Sequence, residues 1–275
     1  MRSSLRCCGR SQLHRDISML RFIAVIAAIA LGLASAVAPA QTADVAPVTI
    51  GTTQVRIAVP DGYLRGSEKA PSLYATSAAA LPPTIRLAEM LVDEADLKRM
   101  LVGETPAEPY LQVQVLRDAE ALEFSAQEWA TLQPTLAAQL GGTNLDATTQ
   151  AMQEGMGERM GAASGAAVEI QFGEVGKPQV YSQDGGVVRF AVRLPITGVI
   201  NGKPMQLVVD CAGAALLLNG KLLMLNAYLV EDEPQASMAR ARSFLADLVA
   251  RTQALNAVPP PQGGEEKTET VEGQR

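Results

Sequence analysis

The chain has 275 residues, 48% apolar and 19% charged, with 23 lysines and arginines against 29 aspartates and glutamates and a formal net charge of −6. Five of those arginines and Asp16 lie in Met1–Ala40, so the remainder holds 18 basic and 28 acidic residues, a net charge of −10. A surface of that sign argues against nucleic acid and anionic lipid as partners, because both are held by clustered lysine and arginine.

Arg2, Arg6, Arg10, Arg15 and Arg21 precede an apolar run, Phe22–Val37, which ends in Ala38-Pro39-Ala40 before Gln41. A basic start, a short apolar core and an A-x-A site are the parts of a secretory signal peptide. Cleavage is expected after Ala40, which makes the mature protein periplasmic or secreted and leaves it no stable membrane span. Met19, just ahead of Leu20-Arg21, is an alternative initiator to Met1. The alternative fate is an uncleaved Phe22–Val37 that anchors the chain in the inner membrane, at the lower end of the spanning range of about 17–25 residues.

Removing Met1–Ala40 takes away Cys7, Cys8 and His14, the chain's one histidine, and leaves Cys211 as the sole thiol. No Ser-His-Asp triad, Cys-His pair or histidine zinc site can then be built within the chain. A single thiol forms no internal disulfide. Cys211 lies in an apolar strand and reads as a buried small hydrophobe.

Residues 41–47 read as a linker, 48–257 as one α+β domain and 258–275 as a disordered tail, polar and rich in proline, glycine and glutamate. Within the domain, Thr49-Ile50, a break at Gly51-Thr52, and Val55, Ile57 and Val59 at alternate positions predict a hairpin or bent strand, closed by Pro60-Asp61-Gly62. Ala70–Ala80 predicts a helix before Pro82-Pro83, and Thr84–Val92 a strand covered on both faces. Asp93 reads as the N-cap of a helix Glu94–Val102, ended by Gly103. Tyr110–Arg117 alternates, with Leu111, Val113 and Val115 facing one way and Gln112 and Gln114 the other.

Ser125-Ala126-Gln127-Glu128 is a capping box flanked by a Phe124/Trp129 staple. The helix it starts should kink or restart near Pro134 and end at Gly141-Gly142. Asp146–Ala167 carries Met152, Met156 and Met160, and Gly157, Gly161 and Gly165, each set four apart. On a helix each set makes a stripe. Val168–Phe172 is a strand, and Gly173–Gly186 a turn-rich connection.

Val187–Val230 is a meander turned by Asn201-Gly202 and Asn219-Gly220. A two-residue turn at Asn201-Gly202 sets Ile200 opposite Lys203 and Arg193 opposite Asp210. Pro195 and Pro204 predict an edge strand or a bulge, and Gly213 a bulge in its partner. Met238, Ala241, Leu245, Leu248, Thr252 and Leu255 form one face of an amphipathic helix packed on the meander.

No motif assigns a catalytic, cofactor-binding or metal-ligating residue. There is no S-x-x-K, no Walker A and no G-x-G-x-x-G run after a strand. Three thioethers on one helix face suit Cu(I). Without an accompanying cysteine, histidine or methionine-dense run, however, the methionines read as packing. The glycine series resembles a transmembrane packing motif but is interrupted by Glu154, Glu158 and Arg159. Glu231-Asp232-Glu233 and Glu265-Glu266 read as solvated acids rather than a hydrolytic pair.

Val48–Asp61 with Val59-Pro60-Asp61-Gly62-Tyr63, Pro82-Pro83 with Arg86-Leu87, Phe124-Ser125, and Asn219-Gly220-Lys221-Leu222-Leu223 with Tyr228, followed by a helix closing at Asn256, resemble a group of exported bacterial proteins of unknown function. The order of elements resembles the Mog1/PsbP class, which implies helices on both faces of a mainly antiparallel sheet and a role as a binding or accessory module. The functional expectation is a non-enzymatic envelope protein with a protein or small-molecule partner. The alternatives are a hydrolase using carboxylates or a Ser/Lys pair, and a copper-handling protein. A site, if present, is expected near the methionine and glycine helix.

Overall fold

Both Asn-Gly pairs adopt the left-handed backbone of a type I′ turn, with Asn201 and Asn219 at φ 50°, Gly202 at 78° and Gly220 at 79°. In the computed structural model, which describes residues 44–101, 104–142, 153–230 and 233–257, they join β8 (Val187–Ile200) to β9 (Lys203–Leu218) and β9 to β10 (Lys221–Val230). Ile200 opposes Lys203 and Arg193 opposes Asp210, the register expected from the turn. These residues all fall in the unit Ala43–Arg275.

The meander is the middle of an antiparallel sheet. Its order is β3 (Tyr63–Arg65), β4 (Ile85–Asp93), β5 (Tyr110–Leu116), β10, β9, β8 and β6 (Val168–Phe172), with β7 (Gln179–Asp184) also paired to β8. A separate ribbon of β1 (Val45–Ile50) and β2 (Thr53–Ala58) turns at Gly51-Thr52. The chain is therefore α+β, with a mainly antiparallel sheet. Strand β1 starts inside the stretch expected as a linker, because Ala46 and Val48 are buried in the main core.

One face of the sheet is covered by that ribbon and by α6 (Pro234–Ala257). Ala241, Leu245, Leu248 and Val249 of α6 share a core with Leu111, Val113, Leu216 and Leu225. Thr252 and Asn256 do a second job there. The Ala58 N–H donates to Thr252 Oγ1 at 3.1 Å, and the Arg56 N–H to Asn256 Oδ1 at 3.0 Å, while Asn256 Nδ2 returns a bond to the Arg56 carbonyl at 2.7 Å. The outer edge of β2 is thereby closed to further strand pairing.

The other face carries several helices. Trp129 and Ala137 of α4 (Ala126–Gly142) pack on Val188 and Ala215, and the Trp129 indole donates to the Gly186 carbonyl at 2.7 Å. The capping box forms as expected: the Glu128 N–H reaches Ser125 Oγ at 3.2 Å and the Ser125 N–H reaches Glu128 Oε2 at 2.8 Å. Helix α4 runs through Pro134 as one element instead of restarting. After the short α1 (Gly66–Lys69), α2 (Pro71–Ala80) lays Leu73, Tyr74 and Ala78 on Leu87 and Met90. Asp93 caps α3 (Glu94–Leu101) by accepting from the Ala95 and Asp96 N–H groups at 2.9 and 3.1 Å. Gly157 and Gly161 of α5 (Met156–Ser164) let the following chain pass close, since a Cβ on Gly157 would meet the Val168 carbonyl oxygen at 2.5 Å.

Three expectations change. Strand β8 is interior, with β9 on one side and β7 and β6 on the other. Pro195 fits because β7 pairs up to Ala191 and β6 only from Ile196, so its missing N–H removes no ladder bond. Likewise Pro204 precedes Val209, where β10 begins to pair with β9. Second, Gly173–Gly186 contains β7, a polar strand templated by the long β8. Third, no bulge occurs at Gly213. Phe190 stands opposite it, and a Cβ there would lie 2.1 Å from Phe190 Cζ, so the glycine makes room for the ring.

Among the described residues no helix is long and apolar enough to cross a membrane. The expected signal peptide, Met152, Val102-Gly103, Glu231-Asp232 and the tail 258–275 lie outside the described residues.

Candidate functional site

Strand alternation puts Gln112 and Gln114 on the face of β5 opposite the main core, where a sheet packed on one side only would leave them to water. The structure buries them instead, at 7% and 4% exposure, together with Asn226 at 4%. Asn226 stands opposite Gln112, and Tyr228 opposite both Tyr110 and Cys211. The result is a polar seam crossing β9, β10 and β5. It lies between the cluster under α4, which includes Met224, and the one under α2, which includes Met90.

Within the seam Gln114 Nε2 donates to Gln112 Oε1 at 2.7 Å and to the Tyr228 hydroxyl at 3.2 Å. The rings of Tyr110 and Tyr228 stack at 5.2 Å. Each carboxamide offers two donor and two acceptor positions, so three of them supply more hydrogen-bonding capacity than these contacts use.

The seam is neutral at physiological pH. Burial pushes the Cys211 thiol up to about 12, although its hydrogen bond with Tyr228 pulls the other way. Burial, reinforced by Cys211 and Tyr110, raises the Tyr228 phenol well above its ordinary value, and burial raises that of Tyr110. A thiol held protonated is neither nucleophile nor metal ligand.

A linkage effect follows. The unfolded thiol titrates near 9 and the folded one near 12, so the stability contributed is complete below pH 9 and is lost as pH rises toward 12. Urea midpoints are expected to fall between pH 9 and 11 and to fall less in Cys211→Ala; equal slopes would refute this. At pH 8 a disulfide reagent should label Cys211 only in denaturant.

Among the described residues the buried carboxylates, the other source of chemistry, each have partners. Glu89, at a bulge in β4, accepts from Arg65 Nε at 2.9 Å, Ser67 Oγ at 2.7 Å and the Ser67 and Met90 N–H groups at 3.2 and 2.9 Å. Asp96 accepts from the Ala107 and Glu108 N–H groups at 2.9 and 2.6 Å. Asp210 binds Arg193 through both oxygens at 2.9 and 3.3 Å. Each of these carboxylates thus holds a structural contact within the fold.

No family model matches the chain, and no curated protein matches it. Among solved structures it is similar to the solution structure of cyanobacterial PsbP (CyanoP) from Synechocystis sp. PCC 6803. The TM-score is 0.29 at 10% identity, covering 77% of this chain and 93% of that one. A superposition that loose carries no argument about function, and the α+β class stands on the topology described above.

The residues singled out from sequence fare unevenly. Cys211 is a buried free thiol, as expected. Met156 is buried and Met160 half-buried, so the two thioethers do not share one open face. Among the described residues no group of three or more His, Cys, Asp or Glu is placed to hold a metal. Sequence reasoning missed the seam, and it also missed a second convergence at β7, β8 and α6. There the Arg242 guanidinium lies 4.5 Å over the Tyr181 ring. Both places belong to the meander and its neighbours rather than to α5.

Proposed function

We propose that this protein is a non-enzymatic binding or accessory module, exported to the bacterial cell envelope by its N-terminal segment. The observation that supports the reading is the seam, in which three carboxamides and two stacked phenols share one face of the central strands. Neutral donors and acceptors of this kind recognise a polar, uncharged group by hydrogen bonding, and they supply no proton at neutral pH. The basic start and A-x-A site of Met1–Ala40 support export.

Native mass spectrometry of the protein isolated from an envelope fraction tests the proposal. Expected is a bound mass that disappears in Asn226→Leu while the variant keeps its thermal transition. Unliganded masses for both proteins, or turnover of an ester or glycoside by the purified chain, would overturn it.

A further inference from the structure

Arg189 of β8, Arg242 of α6 and Tyr181 of β7 meet beside the α6 face of the sheet. Arg189 stands two pairs before Ala191 and four before Arg193 on one strand face, and Arg193 is already matched by Asp210. Arg189 is only partly matched. Its Nη1 donates to Ser182 Oγ at 3.1 Å and pairs with Asp184, itself held by Ser182 Oγ at 2.8 Å. The pair is lopsided, because the Arg189 side chain is 17% exposed and that of Asp184 75%. Arg242 spends its charge on the Tyr181 ring face.

Two further observations point to a ligand. The Nε–H groups of both Arg189 and Arg242 are buried and meet no hydrogen-bond acceptor among the described residues. Buried donors in native proteins are nearly always satisfied, and those of guanidinium most of all. Both arginines also act on the same phenol: burial raises Tyr181, while the charges of Arg242 and then Arg189 lower it. Arg242 thus lies over the ring, and Arg189, whose charge also reaches that phenol, pairs with the solvent-exposed carboxylate of Asp184. The place is locally positive on a mature chain of net charge −10.

We propose that Arg189 and Arg242 form a binding site for an oxyanion, the carboxylate or phosphate group of a small molecule, which takes the position that the Asp184 carboxylate now guards. A guanidinium fork matches the oxygens of either group through paired N–H donors, including the Nε–H that is unmet here. Asp184 then acts as an internal competitor. The tyrosine orients Arg242 by holding its flat face, which leaves the edge of the fork for the anion.

The test is a titration of the full mature chain with inorganic phosphate and with succinate, against sodium chloride at matched ionic strength. The readout is the arginine Nε–H resonances by nitrogen-15 NMR. Saturable shifts of the Arg189 and Arg242 signals are expected with phosphate, succinate or both, and none with chloride. Response to phosphate alone assigns a phosphate ester, and response to succinate alone a carboxylate. Asp184→Asn, at an exposed position that does not threaten folding, should tighten binding at least about threefold, because it removes a unit charge competing a few ångströms away. Arg242→Gln should abolish saturation. Shifts that fail to saturate below about 10 mM of either anion, or an affinity unchanged by Asp184→Asn, would overturn the proposal and leave a plain clamp between α6 and β7. Probes and residues here are separate from those of the seam, so either reading can fail without the other.

Discussion

Arg193→Ala is expected to cost about 3 kcal/mol of folding stability, the range for stranding a buried charge. Asp210 is fully buried, on the α6 side of the sheet between Val209 and Cys211, and Arg193 binds both its oxygens at 2.9 and 3.3 Å. An exposed ion pair contributes only about 0–1 kcal/mol, and Arg193 at 42% side-chain exposure could be mistaken for half of one. The asymmetry decides the matter. Removing the exposed partner leaves the carboxylate without its bidentate guanidinium, and the desolvation it suffered on folding is no longer fully offset. Exposure of the guanidinium lets some water approach, which sets the expected cost at the lower end of that range. The double variant Arg193→Ala/Asp210→Ala should therefore be more stable than Arg193→Ala alone. Urea unfolding of both variants checks this. A loss below about 1 kcal/mol for the single variant would show the pair to behave as an ordinary surface contact.

Lys221→Met is the second large effect, expected at about 2–3 kcal/mol from hydrogen bonds to a charged group. Lys221 follows the Asn219-Gly220 turn and is 1% exposed, among the largest fully buried side chains described. Its ammonium donates to the Leu122 carbonyl at 2.9 Å and the Glu120 carbonyl at 3.2 Å, with the Glu123 carboxylate 3.8 Å away. Methionine keeps the stem and loses the three donors. The segment linking β5 to α4 then loses its anchor, although the Phe124 N–H still reaches the Gly220 carbonyl at 2.8 Å. Amide exchange should accelerate from Glu120 to Phe124 ahead of the sheet. Uniform acceleration throughout the chain would mean that Lys221 stabilises the sheet and not the segment.

The sequence is most informative where the deciding forces are local. Capping at Ser125 and Asp93, the two Asn-Gly turns and the Arg193–Asp210 register involve residues a few positions apart or joined by a turn of fixed length, and all are found as expected. Amphipathic spacing likewise finds the buried face of α6, since a helix repeats every 3.6 residues wherever it packs. Proline misleads in a consistent way. Pro195 signals a missing donor, and a missing donor is harmless wherever a neighbouring strand happens to be interrupted.

Seam and arginine site are illegible for a different reason. Gln112 and Gln114 follow the alternation of a strand with one wet face, and nothing nearby in sequence says that helices will flank that face and leave its carboxamides largely buried. Only the placement of α2 and α4 on either side decides it. Gly213 shows the same limit, because its role is set by the ring of Phe190 across a strand pair.

By itself, then, the sequence determined the α+β class, most elements and their turns, the burial of the Cys211 thiol and the negative charge, since backbone geometry, periodicity and composition are properties of neighbouring residues. The tertiary structure alone decided which polar groups lose water and which charges meet. Arg189, Tyr181 and Arg242 come from two strands and a helix, and their convergence depends on how α6 crosses the sheet, a matter of packing that no short stretch of sequence encodes.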